Sequence, residues 1–469
     1  MSQPQLTPQQ EALASELADA IRQGTDDLIT QIARTLAATT DATLFGDTEL
    51  KLRDLAHLIA ARAYRLHLPR QKSGYHGSGL PCPGCGQSAG YHGDRPRTPL
   101  SPLGPIPLAR AYYYCRRCGQ GFCPFDGAAG LTDRNLTPAL ERLATLAGAV
   151  ADSFGKGAEL LEEMAGARLP ESTVGRTAVD AGLRHQRRAA AGEALGRPAA
   201  WGWHADARGR PTAYVSLDAT GVRQQGPGGA AAEGRMAYVG MVFNPAPDPL
   251  LSPPPPGRPR PAMQARYVSG LYPLAAMGPL LRRQAAQVGM ESAQVWVALT
   301  DGGSGLEDFM RQNFGRPDLV VILDFWHAAG YLEGLAREVH PADEGASGEL
   351  AGEWCRLLKE EGGAATLAVL AEWDFGARQS KGLREQRARV AEYFGNNVQR
   401  MEYPECVAEG WQIGSGAVES ACKAVVGQRL KGAGMRWGEE GAHALCHVRA
   451  LYRSEKGQWE AFWQRRPAA

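Results

Sequence analysis

Residues 213–220 read AYVSLDAT, a short run of β-branched and aromatic residues with an acidic side chain near its end. Four more such runs follow: MAYVGMVF at 236–243, ARYVSGLY at 265–272, VWVALTD at 295–301 and LVVILDF at 319–325. Short apolar runs of this composition, alternating with segments of helical periodicity, predict an α/β sheet. Between the second and third runs lies NPAPDPLLSPPPPGRPRPAM, residues 244–263. Proline cannot serve a central strand, so this stretch is expected to be an exposed, extended connector.

Three of the runs end in an acidic residue: Asp218, Asp301 (followed by Gly302-Gly303) and Asp324. The carboxyl ends of strands form the functional crevice of an α/β sheet where the strand order switches. Taken singly, an Asp after a strand is more often a helix cap than a catalyst. Between Asp324 and Glu419 stand 94 residues of mostly helical pattern, among them Leu332, Leu335 and Val339, then Trp354, Leu357 and Leu358, then Val390, Tyr393 and Phe394. A structureless loop of that length has no place in a compact domain, so an inserted helical subdomain is expected.

Outward from the sheet, 469 residues suggest about three or four domains. No apolar run is long enough to span a bilayer. The first residues, MSQPQLTPQQEALASELADAI, lack the basic start and apolar core of a signal peptide, which leads to the expectation of a cytoplasmic protein. Net charge is only +1, so any DNA affinity has to come from local clusters of Arg and Lys. Residues 5–70 show helical spacing (Leu13, Leu17, Ile21; Ile29, Ile32, Leu36) and predict two or three helices.

Of nine cysteines, five fall within 82–123, unlike a secreted disulfide framework. Cys82-Pro-Gly-Cys85-Gly and Cys115-Arg-Arg-Cys118-Gly are two CxxC knuckles with 29 residues between them. Together they supply the four soft ligands of a closed, structural zinc site, and the run Tyr112-Tyr113-Tyr114 suits the strands of a zinc ribbon. Redox CxxC motifs usually come singly and open a helix. Cys123 and His92 are spare ligands of lower rank.

Residues 154–185 outline a helix-turn-helix: an apolar helix with Leu160, Leu161 and Met164, a stop at Pro170, and a second helix capped by Ser172. Ser172, Thr173 and Arg176 would then open the reading helix, and Arg184, Arg187 and Arg188 would face phosphates. Two packed helices with a solvated basic end is the equally weighted alternative.

The block QIGSGAVESACKAVVGQRLKGAGMRW at 412–437, with SLDAT, LTDGGSGL and ILDFWHAAGYL, resembles the ISKra family of bacterial insertion-sequence transposases, relatives of the Mutator-like DDE group. The resemblance covers about the last 260 residues, and the CxxC ribbon fits it. It implies an RNase H-like core with an all-helical insertion and a catalytic set of Asp218, Asp301 and Glu419 holding Mg²⁺ or Mn²⁺. In the implied strand order Asp301 lies one strand from Asp218 and Asp324 lies two, at about 4.8 Å per strand, which favours Asp301 as the metal partner. Asp324 and His327 then match a supporting D-x-x-H element.

The expected organisation is therefore multidomain α/β: an N-terminal helical region at 1–70, a zinc ribbon at 71–128, a helix-turn-helix-like region at 129–198, the core at 205–327 and 408–458, and the helical insertion at 328–407. Lys423, Arg429, Lys431, Arg436 and Trp437 (with Gln428) are DNA-contact candidates, with a basic solvated face as the equal alternative. The expected function is transposition of double-stranded DNA by a homodimer or larger assembly. An inactive DNA-binding relative and an RNase H-like nuclease without strand transfer are the alternatives.

Overall fold

The computed structural model describes residues 6–43, 45–68, 73–246, 262–303, 305–376, 379–455 and 457–464. Apart from residues 244–246 and 262–263, the proline-rich connector lies outside the described residues. The chain is mixed α/β and its described residues group into two compact units that divide between Thr177 and Ala178. Among the described residues no helix is long and apolar enough to cross a membrane.

The first unit begins with two long helices, α1 (Pro8–Ala37) and α2 (Asp47–His67), packed on each other. Thr7 caps α1 by accepting from the Gln10 N–H, while the Gln10 side chain accepts from the Thr7 N–H. A four-stranded antiparallel sheet follows in the order β1 (Gly79–Pro81), β2 (Ser88–Arg97), β5 (Leu108–Tyr114), β6 (Gly121–Phe122), with β3 (Leu100–Ser101) and β4 (Gly104–Pro105) forming a small separate ladder. The short helix α3 (Pro124–Ala129) leads to α4 (Pro138–Val150) and α5 (Phe154–Ala165), which share a core with Leu140, Leu161, Leu169 and Val174.

The expected helix-turn-helix differs from the structure in three details. The helix α5 ends at Gly166, whose left-handed backbone closes it, and not at Pro170. The next helix, α6 (Glu171–Ala190), starts with the Pro170 carbonyl accepting from Val174, so Ser172 sits inside its first turn and is not its cap. Of the three apolar residues read as one face of α5, Leu161 is buried, whereas Leu160 and Met164 are 44% and 76% exposed. The boundary between the two units falls within α6.

In the second unit a five-stranded sheet has the order β11-β10-β7-β8-β9. The strands β7 (Thr212–Gln225), β8 (Ala231–Asn244) and β9 (Gln264–Gly270) form an antiparallel meander; β10 (Val295–Thr300) and β11 (Val320–Leu323) run parallel to β7. Side chains alternate between faces along a strand. Ala213, Val215 and Leu217 of β7 enter the main core with Met277 and Leu281 of α7 (Leu274–Gln287) and with Phe309 and Met310 of α8 (Leu306–Phe314). Asp218 therefore lies on the opposite face.

Between β11 and Glu419 the chain is helical, as its periodicity predicts: α9 (Phe325–Val339), α10 (Glu344–Glu372, kinked at Gly362), α11 (Lys381–Asn397) and α12 (Tyr403–Ala408). These helices do not separate from the sheet. The Tyr403 hydroxyl donates to the Leu323 carbonyl at 3.1 Å and the Tyr393 hydroxyl to that of Asp301 at 3.2 Å, so the core and the insertion form one unit. The chain then returns through α13 (Gly416–Ala421), a wide π-helical turn (Cys422–Gly427), α14 (Gln428–Leu430), α15 (Glu439–Arg453) and α16 (Gln458–Trp463).

The helices α6 and α15 meet closely at Gly182, where an added Cβ would stand 2.1 Å from the Ala444 carbonyl oxygen. Gly182→Ala should therefore destabilise the protein by about 1–3 kcal/mol in urea unfolding. Gly352→Ala, in α10 with nothing within 4 Å of the new methyl, should stabilise it by about 0.5–1 kcal/mol. Equal effects at the two positions would contradict this packing.

Candidate functional site

The four cysteines of the knuckles converge. Their sulfur atoms all lie within 4.8 Å of one another, with Cys82 to Cys118 at 3.5 Å and Cys85 to Cys115 at 3.6 Å. Tetrahedral Zn–S bonds of about 2.3 Å place sulfurs about 3.8 Å apart, so the cluster fits a zinc ion. Each knuckle is built the same way. The Gly86 N–H donates to the Cys82 carbonyl at 2.8 Å and the Gly119 N–H to that of Cys115 at 2.9 Å, both glycines having φ above +70°. The Cys118 N–H and its neighbours hold the Cys115 thiol down, to about 7. The spare candidates stay outside: Cys123 accepts from Arg110, and His92 lies edge-on to Tyr114.

The carboxylates gather on the far face of the other sheet. Asp218 is not at a strand end as its flanking residues suggested, but in the middle of β7, opposite Val239 of β8. On its other side Leu299 pairs with Ser216, so two residues on, Asp301 is level with Asp218. Thr300 pairs with Leu323, which sets Asp324 level with Asp301 one strand further out. Asp301 is half-buried, and one of its oxygens accepts from the Gly303 N–H at 2.9 Å.

Asp324 is 1% exposed, and both oxygens of its carboxylate accept hydrogen bonds. It accepts from the N–H groups of Trp326 (3.3 Å) and His327 (3.0 Å), capping α9, and from the Ser415 N–H at 2.8 Å. The Phe325 N–H also donates to the Ile413 carbonyl at 2.9 Å, and the Gln412 N–H to the Tyr214 hydroxyl at 3.3 Å. The loop before Glu419 is thereby fastened to β7 and β11. Within that helix the Ser415 hydroxyl donates to Glu419 Oε1 at 2.7 Å, while the rest of Glu419 is exposed. His327 sits beside the rings of Tyr331 and Tyr393, 5.8 Å from each.

Electrostatics ties the three carboxylates together. Burial pushes the Asp218 carboxyl above its usual range, and the charges of Asp301 and Glu419 push it the same way. The Ala219 N–H and the Cys422 thiol act against that rise. Cys422 was missed in the sequence, although it lies in the block around Glu419. Burial and the Asp218 charge keep its thiol protonated, so it serves Asp218 as a hydrogen-bond donor. The carboxylates stand further apart than the cysteines, since among the described residues only the cysteines form a group within 4.8 Å.

The basic candidates divide. Lys431 donates to the Thr220 hydroxyl at 2.9 Å, on the same face of β7 as Asp218, and it lies close enough to lower the Cys422 thiol. Lys423 and Arg436 are exposed. Arg429 is buried and packs 4.9 Å over Trp437, whose backbone joins Arg223 and Gln225 at the end of β7; neither residue is a free surface contact. Arg176 and Arg187 are exposed on α6, with Ser172 exposed and Thr173 half-buried in its first turn. Arg184 lies 5.2 Å over both Phe462 and Trp463, and Arg188 pairs with Glu193 at 2.8 Å, so both are committed within the protein.

Searches against family models and against curated proteins find no match to this chain.

Two outcomes follow from this geometry. Cys115→Ser should reduce bound zinc from about one ion per chain to near none and expose amides of β2 and β5 to hydrogen exchange. Equal zinc content in the variant and parent would rule the cluster out. For Asp218, the raised carboxyl contributes full stability below the unfolded Asp value of about 3.9, and this is lost as pH rises through the folded value. In EDTA, Asp218→Asn should therefore be more stable than the parent at neutral pH, with the gap closing toward pH 3. A gap that is absent or reversed at neutral pH would contradict this.

Proposed function

We propose that the chain is a DDE-type DNA transposase, of the kind its resemblance to the ISKra family implies. The reading is carried by one observation: Asp218 and Asp301 stand level on adjacent strands, with Glu419 on a helix fastened beside them. The sheet, a meander of three antiparallel strands followed on the β7 side by two strands parallel to it, supports an RNase H-like reading, in which α9–α12 would be the helical insertion.

The donor set suits Mg²⁺ or Mn²⁺, because all three groups are hard oxygen ligands and a cation would relieve the repulsion that raises the Asp218 carboxyl. Asp218, Asp301 and Glu419 would hold such ions, which when bound supply activation of the attacking oxygen and charge neutralisation at the phosphodiester. The protein's own residues do the positioning. Asp324 fixes the start of the Glu419 helix, Ser415 occupies one Glu419 oxygen and so orients the other, and Cys422 supports Asp218. Lys431, beside Thr220, and the exposed Lys423 would meet phosphates, and Arg176 with Ser172 and Thr173 is the proposed reading edge of α6. The double-stranded ends of an insertion sequence are the substrate, and a cytoplasmic homodimer or larger assembly on paired ends is the working form.

The test is cleavage and joining of a DNA fragment carrying the element's terminal repeats in Mg²⁺. Asp218→Asn, Asp301→Asn and Glu419→Gln should each lower cleavage about a hundredfold or more while retaining DNA binding. Full cleavage by any of the three would remove that residue from the site. Cleavage without strand transfer would identify a nuclease, and binding without cleavage by the parent a DNA-binding protein alone.

A further inference from the structure

Beside the carboxylates, toward the insertion helices, lies an open cavity of about 830 Å³. That size falls within the roughly 300–1,000 Å³ typical of small-ligand sites. Its wall includes Gly302, the residue after Asp301, and Trp326, two residues after Asp324. Trp326 is 68% exposed, although large apolar side chains are normally covered.

The indole is exposed but supported. Phe325 stands edge-on to it at 5.3 Å, and it lies against Gly414, where a Cβ would be only 3.0 Å from Trp326 Cδ1 and 3.1 Å from Nε1. A Cβ at 414 would require the ring or the loop that carries Ser415 to give by a few tenths of an ångström. Also lining the cavity, Tyr331 and Tyr393 stack with ring centroids 4.0 Å apart and planes within 10°. The same wall carries the exposed side chains of Arg389, Glu392 and Asn396: a cation, an acceptor and an amide.

An exposed indole with flat aromatic and mixed polar groups around it has the chemistry that recognises a nucleobase by stacking and edge hydrogen bonds. Bases inside a duplex already stack on each other and cannot reach such a surface without leaving the helix. We propose that this cavity binds an unpaired nucleotide of the DNA strand whose phosphodiester lies at Asp218, Asp301 and Glu419, with its base stacked on Trp326. The proposal rests on reading those carboxylates as the strand-cutting site. Its ligand is single-stranded deoxynucleotide of relaxed sequence preference, because stacking does not discriminate strongly between bases.

The test uses the full chain in EDTA, with fluorescein-labelled oligothymidylate of about ten nucleotides and a blunt duplex of about twenty base pairs, followed by anisotropy. Trp326→Ala should weaken oligothymidylate binding about tenfold or more and change duplex binding less than about twofold, while Trp326→Phe should recover most of the loss. A 5-iododeoxyuridine in the oligonucleotide should cross-link to Trp326, Tyr331 or Tyr393. Unchanged oligothymidylate affinity in a Trp326→Ala protein with parental thermal stability would overturn the proposal, as would parent protein that binds the duplex alone. The two readings fail separately. Parent cleavage with Trp326-independent oligothymidylate binding would remove the pocket and keep the cutting site. Trp326-dependent binding without any cleavage would keep the cavity as a nucleotide site and remove the cutting reading.

Discussion

A single buried carboxylate organises the candidate site without taking part in its open face. Asp324 accepts three backbone N–H groups, two from the start of α9 and one from Ser415, and so joins the end of β11 to the helix that carries Glu419. A carboxylate that accepts from this many N–H groups is held more firmly than a side chain that meets one partner, because all three bonds must break before it can turn. The parallel bond from Phe325 to Ile413 makes the junction two-stranded. Glu419 inherits its place from this junction, since the Ser415 that donates to it is itself held by Asp324.

The two acidic neighbours in the sheet therefore have different physics, although their sequence settings look alike. Asp301 keeps an oxygen for outside partners and faces the charge of Asp218. Asp324 has both oxygens bonded inside the protein. The soft and hard donor sets also differ in form: four cysteine sulfurs converge on knuckles of a small sheet, while the carboxylates are spread across strands and a helix. The first arrangement has the spacing to close around one ion, and the second leaves a face open.

Much of this was legible in the residues. The five β-branched runs became the five strands, and the two CxxC knuckles became one cluster, because period-two patterning and fixed ligand spacing are local signals. The mid-strand position of Asp218 was not legible. The residues after it, Ala-Thr-Gly-Val-Arg-Gln-Gln, look like a loop, yet β7 continues through them because β8 offers a partner across a tight turn. The roles of the basic residues were hidden for a similar reason. Arg184, Arg188 and Arg429 read as DNA-contact candidates or as a basic solvated face, but Arg184 meets Phe462 and Trp463 brought from distant sequence, and Arg188 and Arg429 turn inward to Glu193 and Trp437 further along their own segments. Cys422 and Trp326 were overlooked within quoted motifs, since their significance depends on what lies opposite them.

The junction at Asp324 has a further consequence for how such a chain changes over time. Its bonds tie residue 324 to residue 415, so the ends of the intervening helical stretch are already closed by the sheet side of the protein. The entropy of closing a longer excursion grows only slowly with its length. Helices α9 to α12 can thus lengthen, shorten or be exchanged with little effect on where Glu419 stands, provided that the first turn of α9 and the contacts of Tyr393 and Tyr403 persist. The stretch is anchored at its two ends and at two tyrosines, and it is the connections between those anchors whose length is least constrained.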